Sequence, residues 1–256
     1  INGNEIRPSQ TEIPEWTSGY FKDEIGYVND PYLFYFEAGD NTISLEGLRE
    51  PLLIKSIELV SSTTLPSYET VQALYTSEGY KEVDQDIVFV QGEMQAYTSS
   101  PTLYPLNDRT SSKTVPSSPN EVRLNTIGGN NWRVSGDYIV WEFDVEESGL
   151  YNISMRVKQT LASGMNVYRN IYIDDEIPFN ELKNFAFQHE NGWRIQTLGN
   201  EDEAYQFYLE AGTHTLKMEV SLGSYGPLIG QIQTSINNLN KLYREILIYT
   251  GPEPDP

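Results

Sequence analysis

Two short segments combine an indole with groups that hydrogen-bond: NTIGGNNWRVSGDY over residues 125–138 and QHENGWRIQ over 188–196. A flat apolar ring packs against the C–H face of a sugar, while Asn, Gln and Arg meet its hydroxyls. That mix is the one found in small-molecule sites generally. The candidate ligand contacts are therefore Asn130, Asn131, Trp132 and Arg133 in a glycine-loosened loop, with Trp193 beside Arg194 and Gln196 in a second cluster. Tyr168 and Arg169, at a strand start after a glycine turn, would line the same end as Trp132. The competing reading is packing. Tryptophan is mostly buried, and Trp132 equally suits a plug at one end of a sandwich. Trp141 alternates with Ile139 and Phe143 and reads as core.

Catalytic chemistry has a poorer basis. His214 follows an Ala-Gly turn and reads as a solvent-facing turn residue, and His189 lies in a loop without a partner identifiable from spacing. No metalloprotease helix motif, phosphate-cradling glycine loop or nucleophile elbow occurs. Paired carboxylates could serve glycoside hydrolysis, but with 37 acidic residues some pair always looks suitable. The absence of cysteine removes disulfides, thiolate nucleophiles and Cys-ligated zinc. A net charge of -20 repels phosphate backbones and anionic lipid, so neither nucleic acid nor a membrane is an expected partner. No apolar run reaches the roughly 18–20 residues of a membrane span.

The elements that would position these side chains are strands. DYIVWEFDV (137–145), GLYNISMRVKQ (149–159) and NVYRNIYID (166–174) alternate with a period of two. IVFVQGEMQAY, from Ile87, opens the domain, and a polar loop over 98–120 follows it. Ser67 as N-cap, an apolar stripe of Tyr68, Val71, Leu74 and Tyr75, and Gly79 as terminator predict a short helix. Leu228, Ile229, Ile232, Ile236, Leu239, Leu242 and Tyr243 recur at helical spacing and predict a second helix before a last strand, REILIYT (244–250).

A segment also occurs twice. DPYLFYFEAGDNTISL (30–45) and EAYQFYLEAGTHTLKM (203–218) share seven identities in 16 positions, and each reads as a β-hairpin turning at Ala-Gly. Upstream, Ile1-Asn2-Gly3 matches Ile173-Asp174-Asp175 at nearly the same offset. With a strand over 52–59, residues 1–62 read as the closing half of a first β-sandwich, its other half missing. Residues 63–84 are then a connector with a helix, 85–250 a complete sandwich, and 251–256 a linker in a longer protein.

The second unit resembles the galactose-binding-like β-sandwich of carbohydrate-binding modules of the family six and thirty-five type. Gln91-Gly92-Glu93 stands for the opening motif, and Trp132, Gly136, Asp137, Trp141, Gly149 and Tyr151 match the stretch that follows. It is similar more closely to N-terminal modules of large extracellular sugar ABC-transporter solute-binding proteins in Gram-positive bacteria. NTIGGNNW, the Ile173-Asp174-Asp175 turn with Pro178 and Phe179, the helix ending Leu239, Asn240, Leu242, Tyr243, Arg244, and the tail Thr250, Gly251, Pro254, Asp255, Pro256 carry that likeness. The resemblance implies an all-β, antiparallel jelly-roll sandwich with an inserted helix. It also implies an oligo- or polysaccharide ligand, a downstream solute-binding domain and an extracellular, cell-surface location. It further implies a structural calcium held by Glu93 and an aspartate near the last strand, but REILIY has no aspartate.

Three functions follow. One is a non-catalytic glycan-binding module, with an exposed Trp132 as its mark. Another is a structural or docking sandwich, for which Trp132 would be buried. The third is a fragment of a glycan-degrading enzyme, which would need a deep cleft with two facing carboxylates.

Overall fold

The alternating runs between 137 and 221 form strands. The chain is described here from a computed structural model covering all residues except 1–2, 15, 17, 24, 29, 49–51, 62–63, 84–87, 162 and 252–256. In chain order the elements are α1 (Tyr68–Glu78), β1 (Tyr97–Thr98), β2 (Pro105–Leu106), β3 (Thr126–Ile127), β4 (Tyr138–Val145), β5 (Gly149–Asn152), β6 (Ser154–Lys158), β7 (Val167–Ile173), β8 (Phe185–Phe187), β9 (Trp193–Thr197), β10 (Gln206–Leu209), β11 (Gly212–Ser221) and α2 (Tyr225–Thr250). The main sheet is antiparallel, in the order β1-β4-β11-β7-β8. Facing it, β5 and β6 are one run interrupted at Ile153, pairing with β10 on the first half and β9 on the second. This is the antiparallel β-sandwich the sequence predicts.

The core follows from the period of two. Ile171, Ile173 and Met218 on the main sheet share one core with Phe207, Leu209 and Leu198, together with Phe179 and Leu182. The short helix forms where its caps predict: the Ser67 hydroxyl accepts the Thr70 N–H, and Gly79 ends it in the left-handed region. It is part of the sandwich packing. Tyr68 stacks within 4.5 Å of Tyr205 and 5.0 Å of Phe179, and its hydroxyl accepts the Gln206 N–H.

Four expectations are corrected. The Ala-Gly segment at 203–218 is not a hairpin. β10 pairs with β5 and β11 with β4 and β7, so the chain crosses from one sheet to the other as an arch. Each strand sends its apolar side into the same core from opposite walls, a pattern that period two cannot distinguish from a hairpin.

The last strand is absent as well. α2 runs unbroken through REILIYT, because no Gly or Pro interrupts it between 231 and 250, and it stops at Gly251, whose N–H bonds to the Leu247 carbonyl. The inserted helix therefore closes the described chain. Of the opening strand, whose Ile87 lies outside the described residues, only Tyr97 joins a ladder among residues 88–97, and it continues with Thr98 against β4. The strands expected over 30–45 and 52–59 do not form either: among the described residues before Tyr68 there is neither helix nor strand.

Parts of that first segment nevertheless lie on the sandwich. Glu5 accepts the Leu124 N–H and pairs with Arg123. Lys22 pairs with Glu219 at 2.8 Å, and Tyr27 sits over Gly226 and Gly230 of α2. Other parts touch little. The accessible surface, 18886 Å², far exceeds the roughly 11,500 Å² expected of a compact monomer of this mass. The excess is apolar in large part, at Leu33, Phe34, Leu52 and Leu53 in the first segment and along Leu228, Ile232, Ile236, Leu239 and Tyr243 of α2. No helix among the described residues is long and apolar enough to cross a membrane.

Candidate functional site

The two indole clusters of the sequence occupy different places. Trp132 follows a single turn of 3-10 helix, Gly129–Asn131, which turns the chain from β3 into β4. Its indole N–H donates to the Asp137 carbonyl at 3.1 Å, and its ring meets Trp141 edge-on at 6.4 Å. The Arg169 guanidinium lies 4.1 Å from the ring centroid and donates to the carbonyls of Trp132 and Tyr168. Gly128, at φ 102, packs so closely that a Cβ there would lie 3.0 Å from the ring. The ring is thus half-buried, flanked by Arg169, Trp141 and Gly128, and packs against the core. Burial pushes the Arg169 guanidinium down to about 10, which leaves it charged at neutral pH. No carboxylate among the described residues pairs with it, and its Nε is buried without a partner.

Of the neighbours expected to share this end, Tyr168 lies under the turn into α2. A Cβ at Gly223 would fall 2.3 Å from its ring, and its hydroxyl is 3.0 Å from that of Ser224. Asn130 and Arg133 are exposed and Asn131 is half-buried, forming a polar rim beside the half-buried ring.

Trp193 is placed differently. β6 and β9 pair Ser154 with Thr197, Arg156 with Ile195 and Lys158 with Trp193, while Met155 and Val157 between them pack on the core. Those three pairs therefore form a row on the outer face of the second sheet. The Trp193 indole N–H donates to Asp108 Oδ1 at 3.3 Å. Lys158 Nζ lies 5.4 Å from the ring centroid, 2.5 Å from Asp108 Oδ2 and 2.9 Å from the Thr110 hydroxyl. Ile195, next along the row, is 75% exposed.

The loop at 98–120 builds one wall of this face. Asp108 folds it locally by accepting the backbone N–H and hydroxyl of Thr110. The buried Asn125 bonds to the Asp108 main chain at both ends and to the Pro116 carbonyl. Arg156 donates to the Lys113 carbonyl at 2.7 Å. Burial alone would raise the Asp108 carboxyl. Lys158, Thr110 and the Trp193 indole outweigh it and hold the group at about 2. A pinned ring with charged and hydroxyl groups at its edge can offer stacking and directional hydrogen bonds together.

No hydrogen bond or ring contact among the described residues joins the two clusters. Asp108, Thr110 and Lys158 are the residues that sequence reasoning missed. Their partners lie 48 to 85 positions away in the chain, so only the alternation of Lys158 with Arg156 hinted at a shared face.

His214 is not a free turn residue. Burial lowers its affinity for a proton, but the Glu210 carbonyl and the Asp174 carboxylate at 2.6 Å outweigh that, and its pKa is raised. Glu93 has one carboxylate oxygen buried without a partner, as does the amide oxygen of Gln95, and desolvation raises the Glu93 carboxyl. An orphaned oxygen suits a cation, but calcium takes six to eight oxygens. Among the described residues no group of three or more His, Asp or Glu gathers. The stretch expected to supply the second carboxylate is helix without aspartate. The described residues do not complete a calcium cage.

No protein-family model matches the sequence, and no curated protein matches it. Solved structures overlap part of the fold. A cycloisomaltooligosaccharide glucanotransferase from Paenibacillus sp., complexed with cycloisomaltoheptaose, is 21% identical over 62% of this chain, with a TM-score of 0.39. This chain covers 21% of that enzyme's length. A family 35 carbohydrate-binding module from an environmental isolate is 14% identical over 52% of this chain and 79% of its own, with a TM-score of 0.34. A family 35 module from Cellvibrio japonicus gives the same identity and TM-score over 82% of its length. The class defined here is an antiparallel β-sandwich bearing an aromatic and charged row on one outer face.

Proposed function

We propose that this chain is a non-catalytic glycan-binding module, acting outside the cell as part of a surface-associated sugar-capture or solute-binding protein of a Gram-positive bacterium, with a solute-binding domain following it. The observation that carries the reading is the outer-face row, where the half-buried Trp193 ring stands beside Lys158, Asp108, Thr110 and Arg156 and next to the exposed Ile195. A sugar would stack on the indole while its hydroxyls exchange water for the charged and hydroxyl groups at the ring edge. One ring and a few exposed polar groups give weak binding. The Trp132 cluster lies apart from this row and acts as a plug, with Asn130, Asn131 and Arg133 left as an accessory rim. The test is a glycan array probed with the chain and with Trp193→Ala. Binding to one glycan class, abolished by the substitution with folding intact, is the expected result. Silence across the array, or binding that survives Trp193→Ala, rejects it.

A second reading, a sandwich that docks a neighbouring domain without binding sugar, is favoured by the exposed apolar stripe of α2. Array silence together with a glycan-independent complex through α2 would select it.

A further inference from the structure

The repeated segment has a structural content that glycan binding does not use. In the second copy the arch is filled: Tyr205 is 4% exposed and Phe207 2%. In the first copy the matching Tyr32 is 52% exposed and Phe34 61%. The bends nonetheless share two features. Gly39 and Gly212 take positive φ values of 119 and 146, which side chains rarely adopt. Two residues later, the Asn41 amide donates to the Glu37 carbonyl at 2.8 Å, and His214 Nε2 lies 2.7 Å from the Glu210 carbonyl. So residues 30–45 carry local features of the arch's bend but lack the strands that would flank it.

We propose that residues 30–45 are the β-arch of a second sandwich, and that what covers them is a half-sandwich of the kind residues 87–172 make, joined in the same polypeptide. Phe34 enters between two sheets as Phe207 does. Residues 33–36 pair with a β5-like strand, and those after Gly39 pair between β4-like and β7-like strands. The sequence match of Ile1-Asn2-Gly3 to Ile173-Asp174-Asp175 sets the junction used in the test below. Another copy's intact sandwich is a poorer partner. Its own β10 and β11 already fill those positions, and an exchange would replace one set of contacts with an equal set while ordering two chains.

Two chains test this. In the first, residues 87–172 are placed directly before Ile1 of the full chain and amide hydrogen exchange is followed at 30–45. The exchange slows by about 100-fold or more relative to the unextended chain, and Phe34→Asp in the extended chain returns it to the fast rate. In the second, DPYLFYFEAGDNTISL replaces residues 203–218 within the existing sandwich, and the chain still unfolds in one cooperative transition. Fast exchange at 30–45 in the extended chain, slow exchange that Phe34→Asp leaves unchanged, or loss of cooperative unfolding in the transplanted chain each overturns the proposal.

Discussion

Trp132 and Trp193 are each followed by arginine, and each lies just after a glycine-containing turn segment, yet their neighbours give them opposite tasks. Around Trp132 the polar groups turn inward: the indole N–H is used by a main-chain carbonyl, and Arg169 covers the ring while bonding to two more carbonyls. Around Trp193 they sit at the ring edge on an outer face, where the half-buried Asp108 and Lys158 pair with one another and with the exposed Thr110. The same dipeptide is a plug beside the main sheet and a platform on the outer face of the second sheet. What differs is the element that carries each ring: a 3-10 turn sets Trp132 against the core, and strand alternation in β9 sets Trp193 on the outer face.

The largest expected separation between them is in stability. Trp132→Ala opens a cavity against Trp141 and should cost roughly 2–3 kcal/mol, whereas Trp193→Ala should cost less than about 1 kcal/mol. Urea denaturation of the two variants checks this, and equal losses would break the comparison.

Acid should act on the Trp193 side alone. The folded Asp108 carboxyl, at about 2, lies below its ordinary 3.8. Its stabilisation is therefore complete above about pH 4 and lost as pH falls toward 2, about 2 kcal/mol in all. Asp108→Asn should remove that part of the acid dependence in a pH series of unfolding curves, and an unchanged series would show the carboxylate contributing nothing there.

Arg169→Met keeps the apolar stem over Trp132 but leaves two carbonyls without a donor. A loss of about 1–2 kcal/mol is expected, with greater quenching of Trp132 fluorescence by iodide. No gain in quenching would mean that the guanidinium does not cover the ring.

Much of the fold was legible because alternation and capping are local. Ser67 and Gly79 bound α1, and the runs at 137–174 became β4 to β7. The misses came from partners rather than propensity. The Ala-Gly segment has the same signature whether its strands pair with each other or with different sheets. The Ile246-Leu247-Ile248-Tyr249 run looks like strand until the helix before it meets no breaker. At the candidate site, the indole segments could be read from composition, but the packing of Trp132 depends on Arg169, 37 positions on. The wall of the Trp193 face depends on a loop 85 positions back. Distances of that kind are set by topology, which a single sequence does not display.

The most direct measurement is the indole region of a ¹H–¹⁵N spectrum, in which the four tryptophans of the chain report separately during titration with an array-positive oligosaccharide. The Trp193 signal should shift progressively to saturation while the Trp132 signal stays in place. Movement of Trp132 with Trp193 unmoved, or no indole moving for any glycan tried, would contradict glycan binding on the outer face.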